Sequence, residues 1–293
     1  MQENSSSAAR TSPLVQAMDQ LACRFEETDR ELVSVRADGV HRHRTVVRRI
    51  RSLLAAYGRL LEVPGSTALP GELQAWATSL GVARDAEVRA EQLAEALSRD
   101  GGEATSAARA LVESRRASSD AASRRLREVH DLERTTRMRA LLDEFVLALR
   151  AEEEADAPPR SIRKRISSEA ERTVKRAAGV DGSLGSYHRL RKAARRLRHA
   201  VEAVTDDPPG LFGARIRRLG RRAHRIQRLL GDHRDAVLLA DELEREAGLA
   251  QHREQDATDL EAAAERARAN ATEILAGLER ACRRLAQAAR DLD

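Results

Sequence analysis

His41-Arg42-His43-Arg44-Thr45-Val46-Val47-Arg48-Arg49-Ile50-Arg51 packs seven Arg and His side chains into eleven residues with no carboxylate among them. At about 100° per residue, His41, Arg44, Arg48 and Arg51 share one helical stripe, and Val47, Ile50, Leu54, Tyr57 and Leu61 lie opposite. The stretch reads as an amphipathic α-helix with an aliphatic seam to bury and a cationic seam to present. Solvated helix faces usually interleave both signs at i,i+4 spacing. Like charges this dense favour a bound anion that neutralises them.

Working outward, the pattern H-x-x-R-x-x-x-R-R-x-R returns 147 positions later as His188-Arg189-Leu190-Arg191-Lys192-Ala193-Ala194-Arg195-Arg196-Leu197-Arg198. A second pattern, L-G-x-x-R-D, occurs at Leu80–Asp85 and again 150 positions on at Leu230–Asp235. Two motifs recurring in the same order at nearly the same offset indicate a tandem duplication, with repeats at about 14–160 and 161–293. In each half a helical stretch precedes the His/Arg helix. Asp38-Gly39 and Asp181-Gly182 mark the joins, and Pro64-Gly65 and Asp206-Asp207-Pro208-Pro209-Gly210 stop the helices that follow. Long Ala-rich segments close each half. The expected architecture is all-α, with antiparallel helices joined by short turns in two bundles side by side.

Composition agrees. The 293 residues are 34% charged, 41% hydrophobic and only 2% aromatic, with a mean hydropathy of −0.55. So few aromatic and β-branched residues argue against an all-β or doubly wound α/β fold. The formal net charge is only +5, yet Arg160–Arg228 holds twenty Arg or Lys against six Asp or Glu. Such a division directs a positive field from particular segments and should draw a polyanion to one surface. Only three of the 52 basic residues are Lys. Genomic composition bias explains that ratio but not the clustering, and guanidinium groups grip phosphate oxygens two at a time.

Other elements extend the positive surface. Arg215, Arg218, Arg222 and Arg225 form a third stripe, with Arg163, Lys164, Arg172, Lys175 and Arg176 as a fourth, whereas residues 65–78 contain no Arg or Lys. The second half is therefore expected to supply most of the charge. Asp85 and Asp235 could reach the neighbouring His/Arg helix and orient its guanidinium groups, or form ordinary interhelical ion pairs. Cys23 and Cys282 lack partners at metal-ligand spacing, so a zinc site or disulfide framework is not expected. No run of eighteen apolar residues is present to span a bilayer. Residues 1–13 read as a disordered tail without the apolar core of a secretory signal, and a reducing, cytoplasmic setting is expected.

These paired motifs resemble the conserved histidine α-helical domain (CHAD) family, over nearly the whole chain from about residue 14. The resemblance implies two four-helix bundles related by pseudo-twofold symmetry, a basic surface that binds inorganic polyphosphate, and association with polyphosphate granules. Carried over position by position, the binding residues are His41, Arg44, Arg48, Arg51, His188, Arg191, Arg195 and Arg198. Arg49, Lys192, Arg218, Arg222 and Arg225 are expected as further basic contacts. Many relatives also carry a triphosphate-tunnel domain with an E-x-E-x-K signature. Glu152-Glu153-Glu154 is followed by Ala155 and Asp156, so a stand-alone member is expected.

Three other classes compete with a polyphosphate-binding module. A nucleic-acid binder shares the electrostatics, but six aromatic residues leave little for a base-stacking platform. A metal-dependent phosphohydrolase needs clustered ligands. His41 and His43 project about 200° apart on a helix, and His188 and His199 share a face about 16 Å apart along it. Neither a metal nor a cofactor is expected, nor turnover of polyphosphate or nucleoside triphosphates. A scaffold for an acidic protein partner would tolerate charge reversal at Arg48 and Arg195.

Overall fold

The computed structural model describes residues 13–33, 39–61, 63, 68–98, 104–129, 132–151, 159–206 and 212–292; these form ten α-helices and no strand. Pro13 opens α1 (Pro13–Val33) and Pro159 opens α6 (Pro159–Ala178), the first-turn position where a missing N–H costs nothing and the fixed φ helps. The tail expected at 1–13 lies outside the described residues apart from Pro13. The His/Arg stretches form α2 (Gly39–Tyr57), prolonged by a 3₁₀ turn at Gly58–Leu60, and α7 (Leu184–Thr205). The L-G-x-x-R-D motifs lie inside two long helices, α3 (Ala68–Ser98) and α8 (Ala214–His252). The Ala-rich segments supply α4 (Ser106–Val129) and α5 (Leu132–Ala151) in the first half, and α9 (Thr258–Leu275) and α10 (Leu278–Arg290) in the second.

Packing in the two halves matches helix for helix. Helices α1, α2, α3 and α5 close a ring in which α1 meets α2 and α5, and α3 meets α2 and α5; α6, α7, α8 and α10 repeat those contacts. Each half has a fifth helix beyond the expected four, α4 lying on α3 and α9 on α8. Nor does the core divide between the halves. Phe25, Ile50 and Leu80 belong to the same hydrophobic cluster as Leu197, Leu219 and Leu285. A separate cluster joins Leu93 and Leu111 of the α3–α4 hairpin to Leu243 and Leu260 of the α8–α9 hairpin. The halves merge because their His/Arg helices face each other: α2 packs on α7 and buries its apolar seam from both sides.

Polar ties reinforce that seam. The buried Tyr57 hydroxyl donates to the Ala200 carbonyl of α7, and the Arg165 Nε of α6 donates to the Ala56 carbonyl at 2.8 Å. The Arg165 bond serves the C-terminal end of α2, where helix carbonyls lack intrahelical partners, and the Tyr57 bond ties that end to the body of α7. The start of α7 is set locally. Gly182 takes φ +83°, Asp181 Oδ1 accepts from Ser183 N at 2.9 Å, and Ser183 Oγ caps the helix by accepting from Ser186 N at 3.1 Å. Helices α7 and α8 touch at Gly220, where a Cβ would meet Val201 Cγ1 at 2.7 Å.

Candidate anion-binding site

Above the α2–α7 contact opens a cleft of about 980 Å³, walled also by α3, α4 and α8. Helix α2 contributes His41, Arg44 and Arg48, and α7 contributes Arg191, Lys192 and Arg195. The 3.6-residue period turns these side chains to one face, while Val47, Ile50, Leu190 and Leu197 point into the core. The two copied stripes thus share one trough.

Guanidinium groups in this trough perturb one another. Burial, then the charges of Arg198 and Arg44, lower the Arg48 pKa from its ordinary value. Burial lowers that of Arg195 too, helped by Arg51, Arg196 and Arg44, so charges on α2 and α7 are felt across the contact. Arg191 is lowered by burial and by Arg234 and Arg195, with Asp235 opposing. Arginine stays protonated at neutral pH regardless, so the repulsion persists. Among the described residues, Arg48 Nε and Gln227 Oε1 are buried with no hydrogen-bond partner, and both residues line the cleft.

Carboxylates occupy the cleft where the L-G-x-x-R-D motifs enter it. Asp85 Oδ1 accepts from Arg44 Nη1 at 3.1 Å. Asp235 has its pKa raised, chiefly by burial, against the lowering effect of Arg191 and Arg234; Asp232 and Asp85 push it further up. The two motif carboxylates therefore sense each other across the halves. Two further arginines of the wall, Arg84 and Arg234, are the Arg of the L-G-x-x-R-D motif, three residues after its Gly, a signal present in the sequence but assigned no role from it. Arg115 on α4, bonded to Glu246 at 3.2 Å, also joins the wall, and no motif marked it.

Several expected residues lie elsewhere. His188 is exposed beside the cleft but absent from its lining; its pKa is lowered by desolvation and by Lys192, Arg191, Arg234 and Arg195. Arg51 donates to Gln74 and reaches the site only through its effect on Arg195. Arg49 turns to the other side of α2 and pairs with Asp206 at 3.1 Å, because one residue beyond Arg48 is about 100° further round the helix. Arg198 bonds Glu202 at 2.5 Å. Arg218, Arg222 and Arg225 are absent from the cleft and occupy the solvent side of α8.

His43 is not a cationic contact at all. It is fully buried, accepting at Nε2 from Trp76 Nε1 at 2.8 Å, with Nδ1 3.0 Å from Thr28 Oγ1. The indole donor sets the neutral tautomer with hydrogen on Nδ1. Behind the cleft, His199 and Glu202 border a small pocket with Arg24, Arg49 and Asp206. There burial pushes the Glu202 carboxyl up, but hydrogen bonds from His199 and Arg198 hold it at about 2.

Among the described residues no group of three or more His, Cys, Asp or Glu is placed to hold a metal ion, and no helix is long and apolar enough to cross a membrane. Phe25, Tyr57, Trp76, Phe145 and Phe212 are buried, and Tyr187 packs edge-on against His233 with ring centroids 5.3 Å apart. None of these aromatic residues lines the cleft.

The CHAD domain profile matches residues 16–244. The chain is 31% identical over 229 residues to Uncharacterized protein Rv2226 of Mycobacterium tuberculosis strain H37Rv, and to the same extent to Uncharacterized protein MT2285 of strain CDC 1551, covering 75% of this chain and 42% of each relative. It therefore spans less than half the length of these curated relatives. Among solved structures, the CHAD domain from the plant Ricinus communis superposes with a TM-score of 0.64 at 25% identity, covering 92% of both chains. PptA from Streptomyces chartreusis superposes with a TM-score of 0.63 at 20% identity, covering 95% of this chain and 98% of that one.

Proposed function

Because this chain belongs to the CHAD family, we propose that it binds inorganic polyphosphate, without turning it over, in the cleft between α2 and α7. One observation carries the reading: Arg44 and Arg48 of α2 line a single cleft with Arg191, Lys192 and Arg195 of α7, so like charges are held together in a shared trough, where burial first and then the charges of Arg51, Arg196 and Arg44 lower the Arg195 pKa. A threaded phosphate chain relieves that repulsion, accepts the paired N–H donors of each guanidinium, and releases its own counterions. The buried aromatic residues favour a ligand recognised by phosphate alone over one that must stack bases.

The two halves are copies of one four-helix ring related by a pseudo-twofold axis through the α2–α7 contact, each with an added hairpin helix. Duplication places one cationic stripe opposite another without a second chain. Asp85 and Asp235 orient Arg44 and Arg191 from equivalent motif positions. In the cell the protein is cytoplasmic and gathers at polyphosphate granules, and it acts as a binding module rather than a hydrolase.

A filter-binding titration with long-chain polyphosphate tests this. Combined Arg44→Glu, Arg48→Glu, Arg191→Glu and Arg195→Glu should weaken binding by about 100-fold or more, and added salt should weaken the wild type steeply. Undiminished binding by the reversed protein would falsify the assignment. Sustained phosphate release by purified protein with added divalent metal, lost on His41→Ala, would overturn the non-catalytic part.

A further inference from the structure

We propose that the solvent face of the first half of α8 is a second polyanion-binding surface, through which one protein molecule bridges two phosphate chains. This rests on the reading of the cleft as the first polyphosphate site. Arg215, Arg218, Arg221, Arg225 and Arg228 are exposed and Arg222 is half-buried. Residues 214–231 contain no Asp or Glu, and among the described residues none of these six arginines forms an ion pair or hydrogen bond. Ile216, Leu219, Ala223 and Ile226 anchor the opposite side of the helix in the core. The guanidinium groups are thereby displayed on a fixed rod about 20 Å long at 1.5 Å per residue.

This face is separate from the cleft. Gln227 lines the cleft, while none of the six arginines does. Arg218 and Arg225 lie about half a turn round α8 from Gln227 at 100° per residue. A chain lying straight in the trough does not reach them. The first half supplies an internal control, since α3 packs there as α8 packs in the second half. Residues 65–78 contain no Arg or Lys, and Glu72 sits in the corresponding region. A bias toward arginine throughout the composition would load both helices, so the charge on α8 answers to something α3 does not meet. A polyanion fits it by charge complementarity, unpaired arginine against phosphate. Two surfaces on one molecule then link separate chains, or separate segments of a long one, and the second contact gains from effective concentration.

The experiment compares three full-length proteins: the wild type, the fourfold cleft reversal, and Arg218→Glu/Arg222→Glu/Arg225→Glu. Each is titrated with short-chain polyphosphate by calorimetry and mixed with long-chain polyphosphate under light scattering. The outer variant should keep its short-chain affinity within about threefold while long-chain scattering falls at least about tenfold. An Arg→Gln version of the same triple change, with an unaltered circular dichroism spectrum, should lose scattering likewise. Wild-type scattering from the outer variants overturns the second surface. Short-chain affinity that stays within about threefold of wild type after cleft reversal overturns the cleft reading instead, so the two failures are read from different proteins.

Discussion

Arg44 of α2 donates to Asp85 of α3 across 3.1 Å, and this bond joins the two repeated sequence motifs in space. Asp85 is itself 60% exposed at its side chain, so the pair adds at most about 1 kcal/mol to stability. Its consequence is directional: it holds one guanidinium against the cleft wall while leaving its other N–H groups for a ligand.

That geometry sets a sign for Asp85→Asn. Removing a negative charge from a polyanion site should tighten binding if Asp85 is only a counter-charge. If it positions Arg44, binding should weaken several-fold with almost no change in melting temperature. We expect the weakening, measured by polyphosphate titration at fixed salt. Tighter binding would show that the carboxylate merely opposes the ligand.

His188, beside the cleft, should make the proposed polyphosphate binding pH-sensitive. Its free imidazole titrates below the ordinary value, through desolvation and then the charges of Lys192, Arg191, Arg234 and Arg195. A bound phosphate chain neutralises those charges and raises the pKa, so binding takes up a proton. Affinity should therefore rise as pH falls from about 8 to about 6 at constant ionic strength. His188→Gln should flatten part of that rise. A wild-type affinity that stays level or drops over the same range would count against the coupling.

Gly220 and Gly248 should respond to alanine in opposite directions. A Cβ at Gly220 would sit 2.7 Å from Val201 Cγ1, and valine has little rotamer freedom with which to yield. Gly220→Ala should cost about 1–3 kcal/mol in chemical denaturation. Gly248 has nothing within 4 Å of the same position, so Gly248→Ala should gain about 0.5–1 kcal/mol from helix propensity. Equal effects at the two sites would refute the close α7–α8 approach.

Trp76→Phe removes the indole donor from His43 Nε2 without emptying the surrounding core. The loss should be about 1–3 kcal/mol, visible as an earlier denaturation midpoint. Polyphosphate affinity should hold, because neither residue lines the cleft. A matching fall in affinity at unchanged stability would place this buried pair in the binding machinery.

Much of the arrangement was legible in the sequence, and the exceptions follow from where periodicity stops informing. The stripe His41, Arg44, Arg48 was readable because a helix turns i, i+3 and i+7 to one side. Arg49 turns about 100° away from Arg48, and Arg198 keeps the register of its stripe but bonds a carboxylate on its own helix; residue spacing does not reveal such partners. Asp206 and Glu202 are those partners. The run containing Arg218, Arg222 and Arg225 was correctly helical, but its rotation about α8 depends on packing against α7 and α10. Arg115 left no trace, since α4 reaches the cleft only through the folding back of the α3–α4 hairpin.

The amino-acid order alone determined that the chain is helical, that two halves carry the same pair of motifs, and that each His/Arg helix has one greasy and one cationic side. These are local properties, written in residue spacing within a few turns. Tertiary structure decided that α2 and α7 bury their apolar sides against a common core, which turns both charged sides into one trough and sends the arginines of α8 to another face. That outcome depends on the mutual fit of side chains distant in the chain, such as Val201 against Gly220 and Tyr57 against Ala200, and no spacing rule within a helix contains it.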